Sequence, residues 1–299
     1  MDRSSSQAGR NEIVCIQSVR LRDARTTSPG LSCRPVPVSS LRFPVQYLLM
    51  INATITNFAG LNCRVIDALE ADAAPSKVVV MCHGFGAPGD DLASFGPHLI
   101  NSSESIARNC RFVFPEAPID LGPMGMPGGR AWWPINMAQL AEINQTRDYT
   151  RLSTVVPDGM RDASTQLANA IDEMMSSYSG DAPALVLGGF SQGAMISTDV
   201  VLHHGAAPRQ LVLFSGTLLC RGEWESGAAV HAGCSVLQSH GRQDMVLPMA
   251  LGTAAYELLR ARGYPVQWRE YDMGHEVCLE EIRDISHWLQ SVLAPEPAG

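Results

Sequence analysis

From about residue 53, short continuous apolar runs alternate with stretches whose apolar residues recur at helical spacing. Lys77–Cys82, Ala184–Phe190 and Gln210–Phe214 are apolar on successive residues rather than on every second one. Strands of that kind need cover on both faces, which is the signature of a mostly parallel sheet with helices on either side. The same pattern predicts further strands at Arg111–Phe114, Ser235–His240 and Val266–Tyr271, and an opening hairpin from Ala53–Asn57 and Leu61–Ala68 around Ala59-Gly60. Helices are predicted at Asp91–Ile100, after Phe190 through His203, at Met249–Arg262 and at Val277–Val292. The clearest helical face is Met160, Ala163, Leu167, Ala170, Ile171, Met174, Met175 and Tyr178. The expected fold class is therefore α/β, with residues 51–299 forming one domain and no internal repeat.

Composition narrows the function. The chain has 299 residues, 45% hydrophobic and 17% charged, enough to build a sizeable core. A net charge of −8 argues against a protein that tracks phosphate backbones, so no nucleic-acid partner is expected. No apolar run approaches the roughly 18–20 residues that span a bilayer, so stable membrane insertion is not expected. The eight cysteines show no C-x-x-C spacing. A reducing, cytoplasmic setting fits them better than a disulfide framework or a zinc site. Residues 1–50 stand apart, with seven arginines against three acidic residues and no sustained periodicity. They read as a disordered extension, with a transit segment or a start at Met50 as alternatives.

In a parallel sheet, function gathers at the C-terminal ends of strands. Gly84-Phe85-Gly86-Ala87-Pro88-Gly89 matches G-x-G-x-x-G after a strand, with Glu116 as the acid a dinucleotide's ribose would need. The spacing to Glu116 is too long for that role, and Pro88 removes an amide donor. Gly189-Phe190-Ser191-Gln192-Gly193 is the stronger motif: an apolar strand leads in and a helix leads out. A serine on such a turn is held in a strained conformation with its hydroxyl presented, and glycines flank it because larger side chains would collide.

A serine hydroxyl is a weak nucleophile and needs a base and a group to orient that base. Two later strand tips offer them in the order acid then histidine: His240-Gly241-Arg242-Gln243-Asp244, and Met273-Gly274-His275. Asp244 and His275 are the candidates, with His240 the rival base. The Gly84–Gly89 loop then finds a better use. Charge developing on a carbonyl oxygen needs donors already aimed at it, and the backbone amides of Phe85 and Gln192 are placed to supply them.

Read together, His83-Gly84-Phe85-Gly86, Phe114-Pro115-Glu116-Ala117-Pro118, Gly188–Ala194, Phe214-Ser215-Gly216, His240-Gly241-x-x-Asp244 and Gly274-His275 resemble the phospholipase/carboxylesterase family that includes the acyl-protein thioesterases. The likeness runs through about residues 77–292. It implies an α/β-hydrolase fold and a serine hydrolase with Ser191, Asp244 and His275 as catalytic triad. It further implies the amides of Phe85 and Gln192 as oxyanion hole, with no metal and no organic cofactor. The segment Pro123–Pro134 lies where such enzymes line the acyl pocket and looks closer to bacterial carboxylesterase-like members. Met124, Met126, Trp132 and Trp133 are candidates for that lining, a packed surface loop being the other reading. Arg130, among glycines, is a candidate for a phosphate or carboxylate head group.

The expected reaction is cleavage of a carboxylic ester or thioester, the substrate a small molecule, a lysophospholipid or an acylated protein. Peptidases on the same scaffold usually add a β-propeller or a pair of acids to grip an amine, and a non-catalytic binding module would not need an intact triad. The segment from Ile119 to Arg151 is rich in proline, and Asn136–Arg147 is too polar for a lipase-type lid. Short- to medium-chain substrates are expected. Oligomeric state is left open.

Overall fold

In a computed structural model that describes residues 50–70, 73–227 and 233–293, the chain forms an eight-stranded sheet in the order β1-β2-β4-β3-β7-β8-β9-β10. β1 (Asn52–Phe58) and β2 (Leu61–Asp67) make the antiparallel hairpin expected, turning at Ala59 and Gly60, both at positive φ. β2 then pairs antiparallel with β4 (Cys110–Pro115). From β4 through β3 (Lys77–Cys82), β7 (Ala184–Phe190), β8 (Gln210–Phe214), β9 (Ser235–Gly241) and β10 (Val266–Tyr271) every pairing is parallel.

The continuous apolar runs are buried on both faces, as their pattern requires. Along β3, Val78, Val80 and Cys82 enter the core on one side while Val79 and Met81 enter the other. The first side is covered by α5 (Met160–Ser176), α6 (Gln192–Leu202) and α8 (Met249–Ala261). The second is covered by α1 (Phe95–Ser102), α2 (Glu104–Asn109) and α9 (Leu279–Leu293). Each fully buried Val, Leu or Phe is worth roughly 1.5–3 kcal/mol over exposure, so this double cover supplies most of the driving force.

One predicted helix is divided. Residues 91–100 were expected as a single helix, but Asp91–Ser94 is a 3₁₀ turn and α1 begins only at Phe95. Pro97 explains the break, because its ring would clash with the carbonyl four residues earlier if the α-helix ran through. The short α2, and α7 (Arg221–Ser226), were not anticipated. Between β4 and α5 lie the two-residue strands β5 (Ile119–Asp120) and β6 (Arg130–Ala131), paired antiparallel, then α3 (Met137–Thr146) and α4 (Thr150–Thr154). Apart from Met50, the expectation for residues 1–50 lies outside the described residues.

The strand order places the site. β3 has β4 on one side and β7 on the other, so the connections that leave the carboxyl ends of β3 and β7 face a common crevice at the point where the winding reverses. Those connections are the His83–Gly89 loop and the turn at Ser191.

Candidate active site

Ser191 joins β7 to α6 at φ 55° and ψ −118°, a backbone conformation a residue with a Cβ rarely adopts. The flanking glycines make it attainable. A Cβ on Gly193 would run into the carbonyl oxygens of Cys82 and His83, and one on Gly189 into those of Cys82 and Gly193. The Ser191 amide donates to the Phe214 carbonyl on the neighbouring strand (2.8 Å), which fixes the turn against the sheet. Strain of this kind costs on the order of 1–3 kcal/mol and persists only where surrounding packing enforces it.

Three side chains from separate strand tips meet there. Ser191 Oγ lies 2.9 Å from His275 Nε2, and His275 Nδ1 lies 2.7 Å from Asp244 Oδ2. The other Asp244 oxygen, Oδ1, accepts the backbone amides of Val246 (2.9 Å) and Leu247 (2.8 Å). Burial alone would raise the Asp244 carboxyl, but hydrogen bonds from His240 and His275, with the Leu247 amide, hold it well below the usual carboxylate range. It is therefore an anion at neutral pH. An anion at Oδ2 keeps the proton of His275 on Nδ1 and leaves Nε2 as an acceptor for the serine hydroxyl. The ring of Phe190 packs 4.8 Å from that of His275 and limits its rotation.

His240, the rival base, is excluded by position. It is fully buried behind Asp244, its Nε2–H donating to the Leu247 carbonyl (2.7 Å) with Asp244 Oδ2 3.4 Å away. Its ring stacks on Trp268 and fills the space a Cβ on Gly252 would need. It supports the carboxylate rather than the serine.

Phe85 follows Gly84 in the loop after β3, and Gln192 directly follows the nucleophile. A Cβ on Gly84 would sit 3.3 Å from Ser191 Cβ, so the Phe85 loop reaches the elbow. Among the described residues neither the Phe85 nor the Gln192 backbone amide has an acceptor within the protein. Two free N–H groups beside an activated hydroxyl can receive charge that builds on an attacked carbonyl. The dinucleotide reading of the same loop fails sterically and electrically, because the Glu116 side chain packs directly on Gly89 where a pyrophosphate would have to lie.

The candidate pocket residues separate. Met124 is 59% exposed, and Met126, half-buried, packs with Phe85, Leu121 and Ala131, its Sδ 3.8 Å from where a Cβ on Gly86 would stand. Trp132 and Trp133 do not line an open pocket: they are 0% and 3% exposed and belong to the main core. They share a core cluster with residues of α5 and α6, a placement two adjacent aromatics in a glycine-rich loop do not disclose. Arg130 is also spent inside the protein, donating to the Ala117 carbonyl (2.9 Å) and lying 3.6 Å from Glu116, so it is not a free head-group ligand.

Sequence reasoning passed over His83. The ring is buried, its Nδ1–H donating to the Gly84 carbonyl (2.8 Å) and its Nε2 accepting the Ala117 amide (3.1 Å). Burial pushes it down to about 4, with the Gly84 carbonyl opposing the shift only in part, so it is neutral at working pH. Its place beside the glycines of the loop was the one available signal.

Comparison with known proteins agrees with this geometry. A family model described as phospholipase/carboxylesterase matches residues 63–293. An acyl-protein thioesterase 1 from Gibberella zeae is 26% identical over 233 residues, covering 74% of this chain and 92% of that protein. One from Debaryomyces hansenii is 27% identical over 236 residues, covering 75% and 94%. Among solved structures, esterase PE8 superposes with a TM-score of 0.61 at 24% identity, over 78% of this chain and 99% of that one. Acyl-protein thioesterase 2 from Zea mays gives 0.56 at 20%, over 78% and 99%. The structural matches speak for the α/β-hydrolase fold.

Proposed function

The chain belongs to the phospholipase/carboxylesterase family, and on that premise we propose that it cleaves carboxylic esters or thioesters through an acyl-enzyme formed on Ser191. The observation that carries this reading is the unbroken chain from Ser191 Oγ through His275 to the Asp244 carboxylate, set on a strained elbow between two free amides. Ser191 Oγ bonds to the acyl carbon as its proton passes to His275 Nε2. The carbonyl electron pair moves onto oxygen, where the Phe85 and Gln192 amides hold it. Collapse of that adduct breaks the bond to the leaving alcohol or thiol, which takes the proton from His275. Water then repeats the sequence against the acyl-enzyme and frees Ser191. Asp244 holds the imidazole in the required tautomer and stabilises its positive charge.

Short- to medium-chain acyl groups are the substrates we favour, carried by small molecules or by acylated proteins such as those the names of the fungal relatives state. Support comes from α3, the segment a lid would use. It is tied down, with Leu140 and Ile143 buried and Asn144 Nδ2 donating to the Val246 carbonyl at 2.9 Å. No described helix is long and apolar enough to cross a membrane, and we place the enzyme in the cytoplasm. The test is fluorophosphonate labelling of Ser191, followed by rates on p-nitrophenyl esters and acyl thioesters of rising chain length. Absence of labelling refutes the nucleophile. A rate jump above the micelle concentration of a long-chain ester refutes the assignment of substrate.

A further inference from the structure

The two amides proposed to hold the oxyanion belong to different loops, one after β3 and one after β7, and nothing in the backbone of either loop alone fixes the distance between them. The segment Arg130–Trp133 touches both. On the Gln192 side, the fully buried side-chain amide makes two bonds to it: Oε1 accepts the Trp132 backbone amide (2.9 Å) and Nε2 donates to the Trp133 carbonyl (2.8 Å). On the Phe85 side, the Trp132 indole N–H donates to the His83 carbonyl (3.0 Å). The Gly86 amide donates to the Arg130 carbonyl (2.9 Å), and the Arg130 amide returns a bond to the Ala87 carbonyl (3.0 Å). Phe85 is thus bracketed: His83 and Gly86 on either side of it are both pinned to the same short segment that grips Gln192.

We propose that Gln192, through its side chain, and Trp132, through its indole N–H, are positioning residues that set the separation and aim of the Phe85 and Gln192 amides. The proposal rests on the hydrolase reading above and adds to it a function for two side chains that touch no substrate. The Gln192 side chain and the Trp132 indole are fully buried, and Gln192 Oε1 and Nε2 and the indole N–H each have a partner, so a misalignment there cannot be absorbed by solvent. The same arrangement explains why Trp132 is buried although it stands in the loop expected to meet the acyl group.

Two substitutions cut the bridge at different points. Gln192→Met keeps the backbone amide of residue 192 and removes both side-chain bonds. Trp132→Phe keeps an aromatic ring and removes the bond to His83. With p-nitrophenyl butyrate, each is expected to lower kcat by about 10- to 100-fold, since a small misplacement of an oxyanion donor costs on that scale, with KM nearly unchanged. The pH at half-maximal kcat/KM should not move, because the His275–Asp244 pair is untouched. The double variant should lose less than the product of the single losses, since both cut one device. A folded single variant with kcat within about twofold of the parent, a loss confined to KM, a shifted pH profile or fully multiplicative losses would each overturn the proposal. The unsubstituted enzyme supplies a measurement that does not depend on the variants folding. Phosphonylation of Ser191 places an oxygen between the two amides, and hydrogen exchange at the Trp132 indole N–H should then slow by about fivefold or more. Phosphonylation with unchanged exchange overturns the bridge alone. Failure of Ser191 to be phosphonylated at all overturns the nucleophile assignment and the bridge with it.

Discussion

Asp244→Asn tests the tautomer argument with almost no change of shape. The amide group of asparagine has one oxygen and one NH₂ to distribute between two environments. At the Oδ1 position, the Val246 and Leu247 amides both point inward at 2.9 and 2.8 Å and both require an acceptor. Turning NH₂ toward them would set donors against donors, leaving the buried Leu247 N–H and the half-buried Val246 N–H unpaired, at about 1–3 kcal/mol each. The asparagine oxygen therefore stays there, and NH₂ takes the Oδ2 position 2.7 Å from His275 Nδ1, while His240 Nε2–H, 3.4 Å from that position, keeps its shorter bond to the Leu247 carbonyl at 2.7 Å. A donor at that point requires Nδ1 to be the acceptor, which moves the imidazole proton to Nε2. Nε2 then offers a proton to Ser191 Oγ instead of taking one. Restoring the productive tautomer means reversing the amide, at about 2–6 kcal/mol for the two bonds lost. At 1.36 kcal/mol per decade, kcat should fall by about 30-fold to 10⁴-fold. The assay is steady-state hydrolysis of p-nitrophenyl butyrate at pH 7.5, with thermal unfolding followed in parallel. KM and Tm should change little. A loss of less than about tenfold in a folded variant would falsify the inference that Asp244 selects the tautomer.

Three further outcomes follow from the same geometry. Ser191→Ala and Ser191→Gly should both be inactive, but the glycine variant should be the more stable by about 1 kcal/mol in urea unfolding, because only glycine relaxes at φ 55°; equal stabilities would mean the elbow is not strained. Glu281, fully buried on α9 with Ser239 as its partner, is pushed up to about 8 by burial. The folded state therefore binds more protons than the unfolded one between about pH 4.5 and 8, and stability drains away as pH rises through that window. Glu281→Gln should gain on the parent as pH rises across it and level off above, whereas a difference independent of pH would show that the carboxyl is ionised throughout. Finally, a chain beginning at Met50 is expected to fold and keep full esterase activity, because residues 1–50 lack the periodicity and differ in charge from the rest of the sequence; loss of soluble protein on that truncation would refute the domain boundary expected at residue 51.

The elements legible in the sequence were those whose signal is local. β3, β7 and β8 fall on the continuous apolar runs, because the interior of a strand covered on both faces is apolar on successive residues, whereas β10, at the edge of the sheet, is half-buried and mixes polar with apolar residues. The elbow was legible for the same reason: the backbone at Ser191 demands glycine at 189 and 193, and those glycines are visible as letters. Asp244 and His275 were readable as the right residue types at strand tips in the right order, and the fold does bring both within hydrogen-bonding reach of the chain from Ser191. His240 could not be set aside from sequence, since only the burial of its ring behind Asp244 separates it from His275.

What stayed hidden depends on partners distant in the chain. Trp132 reads as a pocket residue because a large aromatic in a glycine-rich loop fits either a groove or a core, and the letters around it are the same in both cases. The deciding contacts are with His83, 49 residues earlier, and with Gln192, 60 residues later. Gln192 is a variable position of the elbow motif, and its side chain faces inward only because α6 begins fully buried, with no first-turn residue in solvent. Sequence patterns report what a residue's neighbours in the chain require of it. The side chains of Gln192 and Trp132 are constrained instead by a gap between two loops, a gap that comes into being only once β3 and β7 lie side by side in the sheet.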